Sequence, residues 1–167
     1  YCPTYRTRYA EQLKIDFPRL PLTSDKELLK KLVQKGNELV NLHLLGENPF
    51  DDSETIFDDN LKFHVSVGGT KPENTEDWKV EKVEYDPQEK RVYINNGQYF
   101  EGIDKNTWDF MIGGYQVLDK WLKDRKKAER CLSTDDLMHY IKIIVSLRET
   151  QRVMQEIDDL ISNWPIQ

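Results

Sequence analysis

Between Leu61 and Phe100 apolar residues alternate with polar ones, while on both sides of that stretch they recur every three or four positions. A period of two sends successive side chains to opposite faces of a strand. A period near 3.6 gathers them on one stripe of a helix. A chain that changes period in this way is expected to be α+β: a small antiparallel β-sheet flanked by helices, with a long C-terminal helix.

In the middle, Leu61, Phe63, Val65 and Val67 alternate up to Gly68-Gly69. The stretch 78–85 changes phase between Val80 and Val83, which signals a bulge. Asp86 to Lys90 is a turn. A strand over 91–95 then puts Val92 and Ile94 on one face and Arg91, Tyr93 and Asn95 on the other. Asn95-Asn96-Gly97 turns the chain again, into a short strand over 98–100.

The flanks read as helices. Tyr5, Tyr9 and Leu13 share one face of a helix over 4–14, and the prolines at 18 and 21 keep 17–21 extended. A capping box of Ser24 and Glu27 opens a helix that carries Leu28, Leu29, Leu32, Val33, Leu39, Val40 and His43 and stops near Gly46. His43 on the apolar flank is expected to be a core histidine with one hydrogen bond. Asp104 caps a short helix that carries Trp108 and ends at Gly113-Gly114. The last helix starts at Ser133, is capped through Asp136, and continues to about Asn163.

Formal charge is −6, which on its own argues against a nucleic-acid partner, but the charge is unevenly spread. Residues 1–35 hold eight Lys/Arg and four acids, and residues 120–130 hold six and two, so each segment is +4. The acids gather in ENPFDDSETIFDD, residues 47–59, with six carboxylates and no cation. That stretch is expected to be a loop held away from any polyanion. Cys2 and Cys131 form no metal or disulfide framework. No secretion signal or membrane-length apolar run is present, so a reduced, cytoplasmic setting is expected. The opening YCPTYRTRYAEQL reads as a helix entered in its middle, as in a segment of a longer polypeptide.

The segment 108–130, WDFMIGGYQVLDKWLKDRKKAER, carries the clearest functional signal. Two glycines make a turn, Tyr115 and Gln116 follow, and a helix begins with Val117, Leu118, Trp121 and Leu122 on one face. Lys120, Lys123, Arg125, Lys126, Lys127 and Arg130 occupy the remaining positions. Packed by its Trp/Leu face, such a helix offers a basic ridge to phosphates beside a loop able to reach base edges. A merely solvated Lys/Arg face explains the same charges.

IGGYQVLDKWLKDRK, with KIDFPRLPLTSDKELLKKL, ELVNLHLL and RVYINNGQYFEGI in chain order, resembles the C-terminal specificity region of adenine-N6 DNA methyltransferases, the Type ISP restriction–modification group above all. The resemblance spans nearly the whole chain. It implies a target-recognition domain whose partners are double-stranded DNA and the methyltransferase domain of the same polypeptide. It also implies that S-adenosylmethionine is bound by that other domain, and that some relatives carry helicase and nuclease parts as well. Residues 1–46 are then a helical lead-in to the methyltransferase domain, and residues 47–167 the α+β specificity domain. A monomer is expected.

Catalytic signals are weak. Asn48-Pro49-Phe50 lacks the second proline of the adenine-methyltransferase motif and reads as a turn. No glycine-rich loop after a strand would hold S-adenosylmethionine. His43, His64 and His139 are isolated, and Asp51, Asp52, Asp58 and Asp59 lack the pattern of a calcium loop. The chain is expected to hold no cofactor and no metal.

Recognition of duplex DNA needs cations to fix register and forked polar groups to read edges. The candidates for positioning are Arg19, Lys120, Lys123, Arg125, Lys126 and Lys127. The candidates for reading are Arg91, Tyr93, Asn95, Asn96, Gln98, Tyr115 and Gln116. Sheet packing is the competing role for Tyr93, and turn chemistry for Asn95 and Asn96. As a whole, the alternative reading is a protein-interaction module docking neighbouring domains. RNA binding through the sheet is weaker, because the aromatic pattern it needs is missing.

Overall fold

A computed structural model describes residues 1–45, 66–69, 78–161 and 163–166. The acidic stretch 47–59, the Asn48-Pro49-Phe50 turn, His64 and the start of the first strand lie outside them. The chain forms two compact units, Tyr1–Thr55 with Glu149–Gln167, and Ile56–Arg148. The architecture is α+β, as the two periods predict.

In the first unit, helix α1 spans Pro3–Arg8 and α2 spans Ala10–Leu13, so the single helix expected over 4–14 is broken at Tyr9. Cys2 caps α1, and its Sγ accepts from the Tyr5 N–H at 3.4 Å. Helix α3 spans Lys26–His43. Its cap is Asp25 rather than Ser24: Asp25 Oδ1 accepts from the Glu27 and Leu28 N–H groups at 2.9 and 3.1 Å. The two charges of a carboxylate and a helix N-terminus attract, which favours the neighbouring aspartate over the serine hydroxyl. Among the described residues of this unit, the buried apolar ones are Leu39, Leu42, Val153, Met154 and Ile161. His43 is exposed, contrary to the core role expected; its Nδ1 lies 3.3 Å from the Tyr1 hydroxyl. Arg152 reaches Glu38, Glu149 and Glu156, and Lys35 pairs with Glu38 and Glu156, tying α3 to the end of the last helix.

The second unit is built on a four-stranded antiparallel sheet of β1 (Ser66–Gly69), β2 (Glu84–Asp86), β3 (Arg91–Tyr93) and β4 (Gln98–Glu101), ordered β1-β4-β3-β2. Register places Val67, Phe100, Val92 and Tyr85 in one row across the inner face. Against that face pack Trp108, Leu118, Leu122, Tyr140 and Ile144, with Phe100 and Tyr140 rings 4.5 Å apart. Tyr140 is fully buried and its hydroxyl donates to the Leu118 carbonyl at 3.2 Å.

Gly68 and Gly69 are the last two residues of β1, as the sequence predicts. A Cβ on Gly68 would sit 2.5 Å from the Tyr99 ring, and one on Gly69 would sit 1.9 Å from the Gly97 carbonyl oxygen. The strand expected over 78–85 is shorter: only Glu84–Asp86 is strand, while Lys79 bridges Cys131. The change of phase is a bulge in hydrogen bonding, since the N–H groups of Glu81 and Lys82 both donate to the Ile94 carbonyl. Asp86 Oδ1 closes the next turn by accepting from Gln88 and Glu89.

Asp104 caps α4 (Lys105–Trp108), accepting from the Thr107 N–H at 2.9 Å and its hydroxyl at 3.0 Å. The helix ends at Trp108 and does not reach the glycines. A two-stranded hairpin follows, β5 (Met111–Ile112) and β6 (Tyr115–Gln116), and α5 (Val117–Lys127) starts directly after it. Helix α6 (Thr134–Leu160) opens with Ser133 and Asp136 capping each other: each backbone N–H donates to the other's side chain at 3.1 Å. The first part of α6 belongs to this unit and its end, from Glu149, to the other.

Candidate DNA interface

The basic ridge is α5. Leu118 and Leu122 are buried and Val117 and Trp121 partly so, which turns Lys120, Lys123, Lys126 and Lys127 outward. Lys120 pairs with Asp124 at 2.6 Å and Lys123 with Asp119 at 2.7 Å, both one helical turn away. Among the described residues Lys126 and Lys127 have no ion-pair partner. Arg125 is different. Its guanidinium lies 3.2 Å from the Trp121 ring centroid, Nη1 donates to the Trp121 carbonyl at 3.1 Å, and Asp136 is 3.8 Å away. Burial pushes its pKa down. Arg125 is engaged in packing, whereas its four lysine neighbours face solvent.

At the leading end of α5, Gly113 and Gly114 have φ of +56° and +83°, the backbone of a tight two-residue hairpin turn. Tyr115 beside them is 60% exposed, and Lys120 Nζ lies 5.5 Å over its ring. Gln116 points back: Nε2 donates to the Trp108 carbonyl at 2.6 Å, anchoring the base of the hairpin. The paired-glycine turn is legible in the sequence, but the strands on either side of it were missed. With them were missed Met111 and Ile112, which are 52% and 48% exposed. The signal was present in MIGGYQ, a two-glycine loop between large apolar and aromatic residues.

The outer face of the sheet brings Arg91, Tyr93 and Tyr99 together. The Tyr93 and Tyr99 rings are 5.3 Å apart, the Arg91 guanidinium lies 4.3 Å over Tyr99, and Lys82 lies 5.4 Å over Tyr93. Arg91 is held at its edges by Glu89 at 3.1 Å and Glu101 at 3.3 Å. Its fork is therefore already occupied by carboxylates. Asn95 and Gln98 are 7% and 6% exposed. The Asn95 amide donates to the Lys79 carbonyl at 3.1 Å, and its Oδ1 accepts from the Gly97 and Gln98 N–H groups, both at 2.8 Å. Asn95 shapes the turn from inside, whereas Asn96 is exposed at its tip. Arg19 belongs to the other unit; it is solvent-exposed, with Asp16 at 3.8 Å. Among the described residues no group of three metal-ligating side chains comes together, and no helix is long and apolar enough to cross a membrane.

No curated protein matches the chain. Solved structures similar in fold include two Type ISP enzymes. One is a nuclease-deletion mutant of the Type ISP restriction–modification enzyme LlaGI in complex with a DNA substrate mimic, at 20% identity and a TM-score of 0.62. The other is the ATP-dependent Type ISP restriction–modification enzyme LlaBIII bound to DNA, at 16% identity and a TM-score of 0.58. Each likeness covers 99% of this chain, but only 15% of the first enzyme's chain and 10% of the second's. The profile of the Type ISP C-terminal specificity domain matches residues 1–156, and the chain belongs to that family.

Proposed function

We propose that this chain binds duplex DNA and selects its sequence on behalf of a restriction–modification polypeptide, without catalysing a reaction itself. The observation that carries this reading is the row of four outward lysines on α5 beside the exposed β5–β6 hairpin. Two of those lysines have no carboxylate partner among the described residues. The other two are in exposed pairs, which are worth about 0–1 kcal/mol, so a phosphate replaces the aspartate at little cost. Release of counterions from DNA then favours the complex. That the two similar structures are enzymes bound to DNA or its mimic supports the same reading.

Positioning falls to Lys120, Lys123, Lys126 and Lys127, and base contact to Tyr115 and Asn96, with Gln116 anchoring the hairpin that presents Tyr115. Arg91, Asn95 and Gln98 hold the hairpin and sheet that present them. Methyl transfer, its S-adenosylmethionine and any helicase or nuclease activity we assign to other parts of the polypeptide. The test is the salt dependence of duplex binding by the full-length polypeptide. Lys126→Ala with Lys127→Ala should weaken binding alike on all sequences. The slope of log affinity against log salt should fall by about one for each phosphate no longer neutralised. An unchanged slope removes α5 from the interface.

Docking onto a neighbouring domain is favoured by one observation in the first unit. Ile15, in the turn after α2, and Phe17, Leu20 and Leu22, in the irregular segment that follows it, are 75% to 90% exposed beside an open cavity of about 460 Å³. Phe17→Asp and Leu20→Asp should leave the salt slope unaltered and loosen the polypeptide's domain packing, read by limited proteolysis between domains.

A further inference from the structure

The β5–β6 hairpin has a composition that solvation does not explain. Register pairs Ile112 with Tyr115 directly below the two glycines, and Met111 with Gln116 one step further down. Three of these four side chains are large, apolar or aromatic, and about half exposed or more. The tip is bare: a Cβ on Gly113 or Gly114 would meet nothing within 4 Å. The base is fixed by Gln116 on the Trp108 carbonyl and by the Val117 N–H on the Phe110 carbonyl at 3.4 Å. Lys120 Nζ, 5.5 Å over the Tyr115 ring, puts a cation beside the hairpin.

An apolar tip with a lysine beside it, at the start of a helix that carries further outward lysines, matches a groove whose walls are phosphates and whose floor offers an apolar group. The major groove, roughly 12 Å wide, admits a two-stranded ribbon as it stands, whereas the minor groove, roughly 6 Å wide, takes one only when the duplex is bent or widened. The apolar group on a base edge in the major groove is the 5-methyl of thymine. We propose that the Gly113–Gly114 hairpin enters the major groove and that Ile112 and Tyr115 read a thymine 5-methyl group. The inference rests on the proposed DNA-binding reading and adds to it a specificity element of stated chemistry. Glycines at the tip let the backbone approach the base edges closely, and the flanking pair supplies the methyl contact.

The experiment uses the full-length polypeptide and its preferred duplex, with each thymine replaced in turn by deoxyuridine. This substitution removes one methyl and leaves every hydrogen-bonding group in place. At one or two positions it should weaken wild-type binding roughly threefold to fivefold, the worth of one buried methyl. Ile112→Ala should bind the thymine site less tightly and lose most of that discrimination. Tyr115→Leu, which keeps an apolar surface, should retain part of it. Both positions are exposed, and an unchanged melting temperature checks folding. If deoxyuridine is neutral at every position while the site is still preferred over random DNA, the hairpin inference fails and DNA selection stands. If Ile112→Ala keeps the full methyl discrimination, the inference also fails. If wild type shows no preference for any duplex, the functional reading fails with it.

Discussion

Asn95 and Asn96 are identical side chains at adjacent positions, and the structure gives them opposite work. Asn95 is buried with its amide committed to Lys79, Gly97 and Gln98, and Asn96 stands exposed. Asn95→Ala leaves two backbone N–H groups without an acceptor, so unfolding by urea should show a loss of about 2 kcal/mol. Asn96→Ala should change stability by less than about 0.5 kcal/mol and act on site preference instead. Equal effects on stability would remove the distinction. The turn itself was legible from Asn-Asn-Gly, but which asparagine faces inward depends on Lys79, a distant residue placed by the bulge. Cys2 makes a second residue-scale case. Burial, with a hydrogen bond to Asp158, pushes its thiol up to about 11. Alkylation of Cys2 at pH 8, followed by mass spectrometry, should run on the order of tenfold to a hundredfold slower than for a free thiol. Alkylation at the free-thiol rate would contradict the half-buried, hydrogen-bonded placement.

Among elements, those read most fully were the ones whose signals are local. The basic helix shows its Trp/Leu stripe, and α4 and α6 show their caps at Asp104, Ser133 and Asp136, where the sequence places them. Asp104→Ala should cost about 1 kcal/mol, measured as a shift in urea midpoint, because two Thr107 donors lose their acceptor. No shift would mean the cap is idle. Elements set by distant partners were harder. The bulge between Val80 and Val83 is announced by the change of phase, but the shortening of the strand to Glu84–Asp86 is not. Gly68-Gly69 ends β1 as its glycines suggest, but that the Tyr99 ring and the Gly97 carbonyl leave no room for a side chain there depends on the neighbouring strand. The β5–β6 hairpin was hidden by its length: two residues a side show no period at all.

At the scale of the whole molecule, each unit depends on ionised carboxylates. Burial raises the Asp136 carboxyl, but hydrogen bonds from Ser133 and the Arg130 and Arg125 guanidiniums outweigh it and hold it below its ordinary value. In the other unit the hydrogen bond from Lys35 holds Glu156 low against burial. A carboxyl with a depressed folded-state pKa adds stability above its unfolded pKa of about 4, and that stability is lost as pH falls through the folded value. Urea midpoints should therefore hold steady from pH 7 to pH 5 and fall below pH 4, less steeply in Asp136→Asn. A flat profile down to pH 3 would contradict the ion-pair and cap geometry. The grouping of the last turns of α6 with α1 to α3 was not legible, since it rests on ion pairs such as Arg152 with Glu38 across most of the chain. Whether this segment chooses the DNA sequence is decided by an exchange. Residues 1–167 are replaced, in the full-length polypeptide, by the matching segment of a Type ISP enzyme of different site preference, and duplexes bound from a random pool are sequenced. The selected site should change to that of the donor segment. Selection of the original site by the exchanged polypeptide would show that the choice is made elsewhere.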